Sequence, residues 1–154
     1  MEALDFPDET FDLLWSEGAI YIMGFENGLR QWRPMLKKGG YLAVSEISWL
    51  TQSPPDEAHE FWGNECPDMT DIESNLKTIA GCGYAIVDHF VLPEEAWWQG
   101  YSNALQQNIM AFRKRYADNR AALEICDATE REMDIYRRYS NAYGYVFYIM
   151  KRDA

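Results

Sequence analysis

At 154 residues the chain is long enough for one domain with a sizeable core, and its 47% hydrophobic and 15% aromatic content excludes a disordered tail. A formal net charge of -11, from 14 Lys+Arg against 25 Asp+Glu, speaks against nucleic acid or an anionic membrane as the main partner.

Residues 1–10 are acidic and turn-rich, with Pro7-Asp8-Glu9 as a bend. Residues 11–15, Phe11-Asp12-Leu13-Leu14-Trp15, are too short for a helix and suit a buried parallel strand. Residues 16–24 read as a loop. A helix follows over 25–36, because Phe25, Leu29, Trp32 and Leu36 share one face. Lys37 and Lys38 suit its carboxyl end, and Gly39-Gly40 is read as its stop. Pro34 removes an internal hydrogen bond, so a kink or an early end is expected there. Residues 41–47 form the second strand.

Residues 51–67 carry Pro54, Pro55 and Pro67 and read as an excursion with a short helix over 57–62. Thr70-Asp71-Ile72-Glu73 matches a capping box, opening a helix closed by Gly81 and Gly83. Residues 84–92 form the third strand. The spacing of Trp97, Tyr101, Leu105, Ile109, Phe112 and Tyr116 predicts one long helix from Glu94. A second helix covers roughly 121–139, and 143–150 is the fourth strand. The element order is that of an α/β fold.

Cys66, Cys82 and Cys126 have no CxxC spacing, which suits a reducing cytoplasm. With only His59 and His89 besides, no metal site is expected. No segment has the apolar length of a membrane span. In open parallel sheets ligands sit beyond the carboxyl ends of the strands. That rule directs attention to residues 16–21 and 46–49. Glu17 is there either a functional carboxylate or a solvated loop acid. Glu46 is either a buried proton acceptor or a carboxylate satisfied by backbone donors. Trp49 is either a pocket wall or a structural indole.

The run Phe6-Pro7-Asp8-Glu9-Thr10-Phe11-Asp12-Leu13-Leu14-Trp15, followed by Leu36-Lys37-Lys38-Gly39-Gly40-Tyr41-Leu42-Ala43-Val44, resembles the class I S-adenosylmethionine-dependent methyltransferases. More narrowly it resembles their small-molecule branch, with its PF-P-x-x-x-FD and LKPGG signatures; Lys38 stands where that pattern has proline. The resemblance implies a partial Rossmann-like fold, mostly parallel with a final antiparallel strand. It implies a single domain over 1–154 with a helical insertion at 94–139. It also implies methyl transfer to a small-molecule acceptor, with Glu17 and Glu46 as catalytic candidates. Met1, Glu2, Ala3, Ser16, Glu17, Gly18 and Ala19 are the expected cofactor contacts. Tyr21, Trp49, Tyr139 and Tyr143 are the expected acceptor contacts.

The resemblance covers only the later part of the family's fold. The glycine-rich G-x-G-x-G turn of the family is absent from this sequence. The chain is therefore expected to be a truncated methyltransferase, binding S-adenosylmethionine weakly or not at all. The alternative is a non-catalytic remnant acting as an assembly module. An exposed sheet edge, where earlier strands would pair, invites a homodimer.

Overall fold

The computed structural model describes residues 4–153, apart from the side chains of residues 97–103. It divides into two compact units, Met1–Val91 with Ala142–Ala154, and Leu92–Asn141.

The first unit is built on a four-stranded sheet: β1 (Phe11–Glu17), β2 (Leu36–Trp49), β3 (Tyr84–Val91) and β4 (Tyr143–Arg152), in the order β1-β2-β4-β3. β1 pairs parallel with β2, while β4 is antiparallel to both β2 and β3. Three strands thus run one way, and the last in sequence is slotted between two of them in the opposite sense. The connections carry α1 (Phe25–Trp32), α2 (Asp56–Glu65) and α3 (Ile72–Gly81).

Side chains alternate across a sheet, so β2 has two distinct faces. Leu42 and Val44 share one with Val146, Tyr148 and Met150 of β4. There they meet Leu29 and Trp32 of α1 and Ile79 of α3, in one buried cluster. The α1 and α3 ends are locked by polar contacts as well. The Tyr84 hydroxyl donates to the Leu29 carbonyl at 2.9 Å, and Arg33 Nε donates to the Gly83 carbonyl at 3.0 Å. The other face carries Ala43, Ser45 and Ile47, with Phe147 opposite Ser45.

Several boundaries differ from the sequence reading. Helix α1 ends at Trp32, the early stop that Pro34 allows, and Gly39-Gly40 does not terminate it. Those glycines lie inside β2, which is 14 residues long. They absorb a register irregularity against β1, where Phe11 pairs with Leu36 but Leu13 with Tyr41. Gly39 has φ 75, and a Cβ on Gly40 would lie 2.9 Å from the Lys37 carbonyl oxygen and 3.1 Å from that of Asp12. Local backbone crowding, rather than helix termination, is what requires glycine here. The capping residue of α3 is Asp71 rather than Thr70: its carboxylate accepts the Ser74 N–H at 2.8 Å. The loop after β1 contains a 3-10 turn, Ile20–Met23, whose Ile20 is fully buried.

The second unit is a helical hairpin of α4 (Glu94–Arg115) and α5 (Arg120–Tyr139). Asn119 caps α5 by accepting the Ala122 N–H at 3.1 Å. Ile109, Cys126 and Met133 form its small core, with Leu105 packed against them. Arg113 bridges to Asp127 and Glu130 on the facing helix. No helix among the described residues is long and apolar enough to cross a membrane.

Candidate functional site

β1 ends at Glu17, which is in register with Ser45. Residues 46–49 of β2 therefore run on past β1, paired with β4 and, at Trp49 alone, by a parallel bridge to Asp71. Glu46 is the first residue of this overhang. It lies opposite Val146 and only 6% of it is exposed. Its Oε2 is buried without a hydrogen-bond partner. Burial without compensation disfavours the charged carboxylate, and this pushes the Glu46 carboxyl up to about 7. Cys66 lies within its field: burial first, and then the charge of Glu46, raise that thiol.

Beside Glu46, and on the same face, is a buried polar network. Ser48 Oγ lies 2.8 Å from the Tyr148 hydroxyl, and Asn75 Nδ2 donates to both at 3.1 Å. Ser48 Oγ also donates to the Glu46 carbonyl at 3.2 Å, so the network holds the main chain of Glu46. Every hydroxyl in it is partnered, as buried polar groups require. Burial is the main influence on the Tyr148 phenol and raises it, against the opposing hydrogen bonds from Ser48 and Asn75. Asn75 also reaches a cleft of about 440 Å³ beside the start of α1, lined further by Phe25, Asn27, Asp68 and Thr78.

On the opposite face the loop after β1 is tied down differently. The Gly18 N–H donates to Ser45 Oγ at 2.9 Å, and Gly18 has φ 53. The Tyr145 hydroxyl stands 3.4 Å from where a Gly18 Cβ would be. Glu17 is exposed, and Trp15 Nε1 donates to its Oε1 at 2.5 Å.

The structure separates several residues that the sequence suggested together. Glu17 shares the face of Ser45, whereas Glu46 points to the other, so the two carboxylates do not converge. Trp49 also lies on the face opposite to Glu46. It stacks on His59 at 5.8 Å and meets the Tyr143 ring edge-on at 5.9 Å. Tyr143 is fully buried against Trp62 as well, with ring centroids 5.3 Å apart. Tyr21 is exposed in the 3-10 turn, and Ser16 and Ala19 are half-buried. Tyr139 ends α5 in the helical unit, with the Arg138 guanidinium 5.2 Å from its ring centroid. Met1, Glu2 and Ala3 lie outside the described residues. Among the described residues no cluster of three or more His, Cys, Asp and Glu side chains is arranged to hold a metal ion.

Ser45, Ser48, Asn75 and Tyr148 were not singled out from the sequence. Asn75 carried a signal: it falls on the apolar stripe of α3 between Ile72, Leu76 and Ile79, where a polar residue needs an internal partner.

The donor set around 16–19 fits only part of a large cationic cofactor such as S-adenosylmethionine. Glu17 offers an exposed carboxylate and Gly18 a left-handed turn. The Gly18 amide is already committed to Ser45.

No family model and no curated protein matches this chain. Solved structures do. An S-adenosylmethionine-dependent methyltransferase from Thiobacillus denitrificans, with S-adenosylhomocysteine bound, is 18% identical with a TM-score of 0.75; the match covers 97% of this chain and 62% of that one. The corresponding enzyme from Geobacter sulfurreducens, also with S-adenosylhomocysteine, is 18% identical with a TM-score of 0.73, covering 93% and 58%. The [4+2]-cyclase SpnF is 19% identical with a TM-score of 0.73, covering 99% and 53%. The chain thus spans 53–62% of the length of these three structures. The presence of a cyclase among them is a reminder that this fold does not fix one reaction. The sheet order, the inserted antiparallel last strand and these matches together give the chain the fold of the class I S-adenosylmethionine-dependent methyltransferases over the part it spans.

Proposed function

We propose that this chain is the acceptor-side portion of an S-adenosylmethionine-dependent methyltransferase acting on a small-molecule acceptor. The observation that carries this reading is Glu46: a buried carboxyl without a partner on Oε2, pushed up to about 7, at the carboxyl end of a central strand. A group in that state is suited to take a proton from an acceptor hydroxyl or amine near neutral pH. When bound, the cofactor supplies an electrophilic methyl group on a sulfonium. The chain's own residues position and deprotonate. Ser48, Asn75 and Tyr148 fix the strand that bears Glu46. Glu17 and Gly18, with Ser16 and Ala19, form the loop that would meet the cofactor, together with residues 1–3. The same reading gives Tyr21 to the acceptor side, while Trp49, packed against His59 and Tyr143 on the sheet face opposite Glu46, would shape the acceptor site only from behind that strand. Cofactor binding is weak in this reading, since the loop supplies only part of the donor set.

The wider reading is of one methyltransferase-like domain with 94–139 as an insertion. A cytoplasmic location goes with it, supported by three free thiols at Cys66, Cys82 and Cys126.

The test is a pH–rate profile of methyl transfer from labelled S-adenosylmethionine to a panel of small amines and phenols. Glu46 must be a carboxylate to accept a proton. The rate is therefore expected to rise about tenfold per pH unit below 7 and level off above it. Glu46→Gln should lose about 100-fold or more and flatten the profile. An unchanged profile in the variant would remove Glu46 from the chemistry.

A second reading is favoured by a separate observation. The outer edge of β1 is unpaired among the described residues, and it exposes Leu13 and Trp15. Such an edge supports an assembly role, with a second copy pairing there.

A further inference from the structure

The cleft of about 440 Å³ beside the start of α1 is walled by the first turn of α1, by Asn75 and Thr78 of α3, and by Asp68 and Thr70 of the loop between α2 and α3. Behind Asn75 stand Ser48 and Tyr148, on the two central strands β2 and β4. None of the described lining residues belongs to β1, so the cleft does not depend on what pairs with the outer edge of that strand.

The hydrogens of the buried network fix which way Asn75 faces. Ser48 has one hydroxyl hydrogen and gives it to the Glu46 carbonyl at 3.2 Å. Tyr148 also has one, and Ser48 Oγ, 2.8 Å away, accepts it. Neither hydroxyl has a hydrogen left for Asn75, so both accept from its Nδ2, each at 3.1 Å. Both N–H donors of the side chain are then used. The amide is planar, so Oδ1 points away from the network and toward the cleft that Asn75 lines. It has no hydrogen-bond partner among the described residues, although Asn75 is only 2% exposed. A carbonyl oxygen held in this way calls for a donor from a ligand.

The rest of the lining says what kind of donor. Asp68 is exposed and forms no ion pair among the described residues. Glu26 lies on another wall, its Oε1 shared with Arg30 at 2.7 Å. No Lys, Arg or His is among the described lining residues. Met23 and Phe25 add a half-buried apolar wall, with the Phe25 ring 5.7 Å from that of Tyr148. A fixed oxygen, carboxylates and an aromatic ring together suit an ammonium on a short carbon chain, which brings N–H donors and a positive charge. The start of α1 has no side-chain cap and offers backbone donors to the same space, which favours an anion; Glu26 in that first turn opposes one.

We infer that this cleft binds the ammonium group of a small aliphatic amine, with Asn75 Oδ1 as its buried acceptor and Asp68 as its charge partner. The site stands on its own geometry; only the identification of that amine with the methyl acceptor rests on the methyltransferase reading.

The experiment is a titration of the 15N-labelled full chain with butylammonium, with 1-butanol and butyrate as matched neutral and anionic probes. Butylammonium is expected to give saturable shifts at residues 24–27 and 68–70 and at the Asn75 side-chain amide, with a dissociation constant on the order of 1–10 mM. Asp68→Asn, an isosteric change at an exposed position, should weaken it about tenfold and leave the circular dichroism unaltered. Neither 1-butanol nor butyrate should saturate below about 50 mM. Butyrate or 1-butanol binding as tightly as butylammonium would overturn the inference, as would butylammonium shifts that leave the Asn75 side chain unmoved. A parallel titration with S-adenosylhomocysteine separates the two readings. Butylammonium shifts without shifts at residues 16–19 keep the ammonium site and overturn the cofactor reading; the reverse overturns the ammonium site alone.

Discussion

Glu46 owes its proton affinity to its place rather than to a neighbour. No partner holds its Oε2, and burial alone moves it from an ordinary value of 4.5 to about 7. Between those two values the folded protein binds more protons than the unfolded chain. Stability from this group is therefore full below pH 4.5 and is lost as pH rises through 7. The shift corresponds to about 3 kcal/mol. Urea unfolding of the wild type should lose on the order of that amount between pH 5 and pH 8 relative to Glu46→Gln. A constant wild-type-minus-variant difference across that interval would mean that Glu46 ionises at its ordinary value. The sequence identified Glu46 from strand position alone, but left open whether backbone donors satisfy it. That question depends on residues distant in sequence, Tyr148 and Asn75, whose hydroxyl and amide go to Ser48 and to each other instead.

At the scale of elements, the junction of β1 with β2 depends on Gly40. A Cβ there would meet three carbonyl oxygens, of Lys37, Asp12 and Phe11, at 2.9, 3.1 and 3.2 Å. All three atoms are backbone and none can rotate away. Gly40→Ala should therefore cost about 1–3 kcal/mol, and it should loosen β1 in particular. Amide hydrogen exchange would check this: β1 amides should lose protection more than those of β3. Equal loss in both strands would mean a global effect. The glycine pair was visible in the sequence, but its meaning was not. After four apolar residues at helical spacing, Gly39-Gly40 has the form of a helix stop. The helix has already ended at Trp32, two residues before Pro34, so Leu36 starts a strand instead of closing a turn. Periodicity gave no warning, because Leu36 is buried either way. The capping box erred by one residue for a similar reason: Thr70 and Asp71 are both good caps, and only the backbone decides between them. By contrast, β4 and α5 stood out in the sequence, one as an unbroken aromatic and β-branched run and the other as a long amphipathic stripe. Both are in place with boundaries moved by one or two residues.

At the scale of the whole molecule, the sheet order was legible only through resemblance. Local patterns predict four strands. They do not say that the last enters between the second and the third, which is a long-range pairing. The separation of Glu17 from Glu46 by the sheet was also out of reach, since it depends on the register of β1 against β2. The central claim is that this chain carries the acceptor side of a methyltransferase and still meets the cofactor through residues 16–19. The most direct measurement is a titration of the 15N-labelled chain with S-adenosylhomocysteine, followed by amide chemical shifts. The account predicts saturable shifts concentrated at Ser16, Glu17, Gly18 and Ala19, with a dissociation constant on the order of 0.1–1 mM. No saturation up to about 5 mM, or shifts confined to α4 and α5, would contradict it.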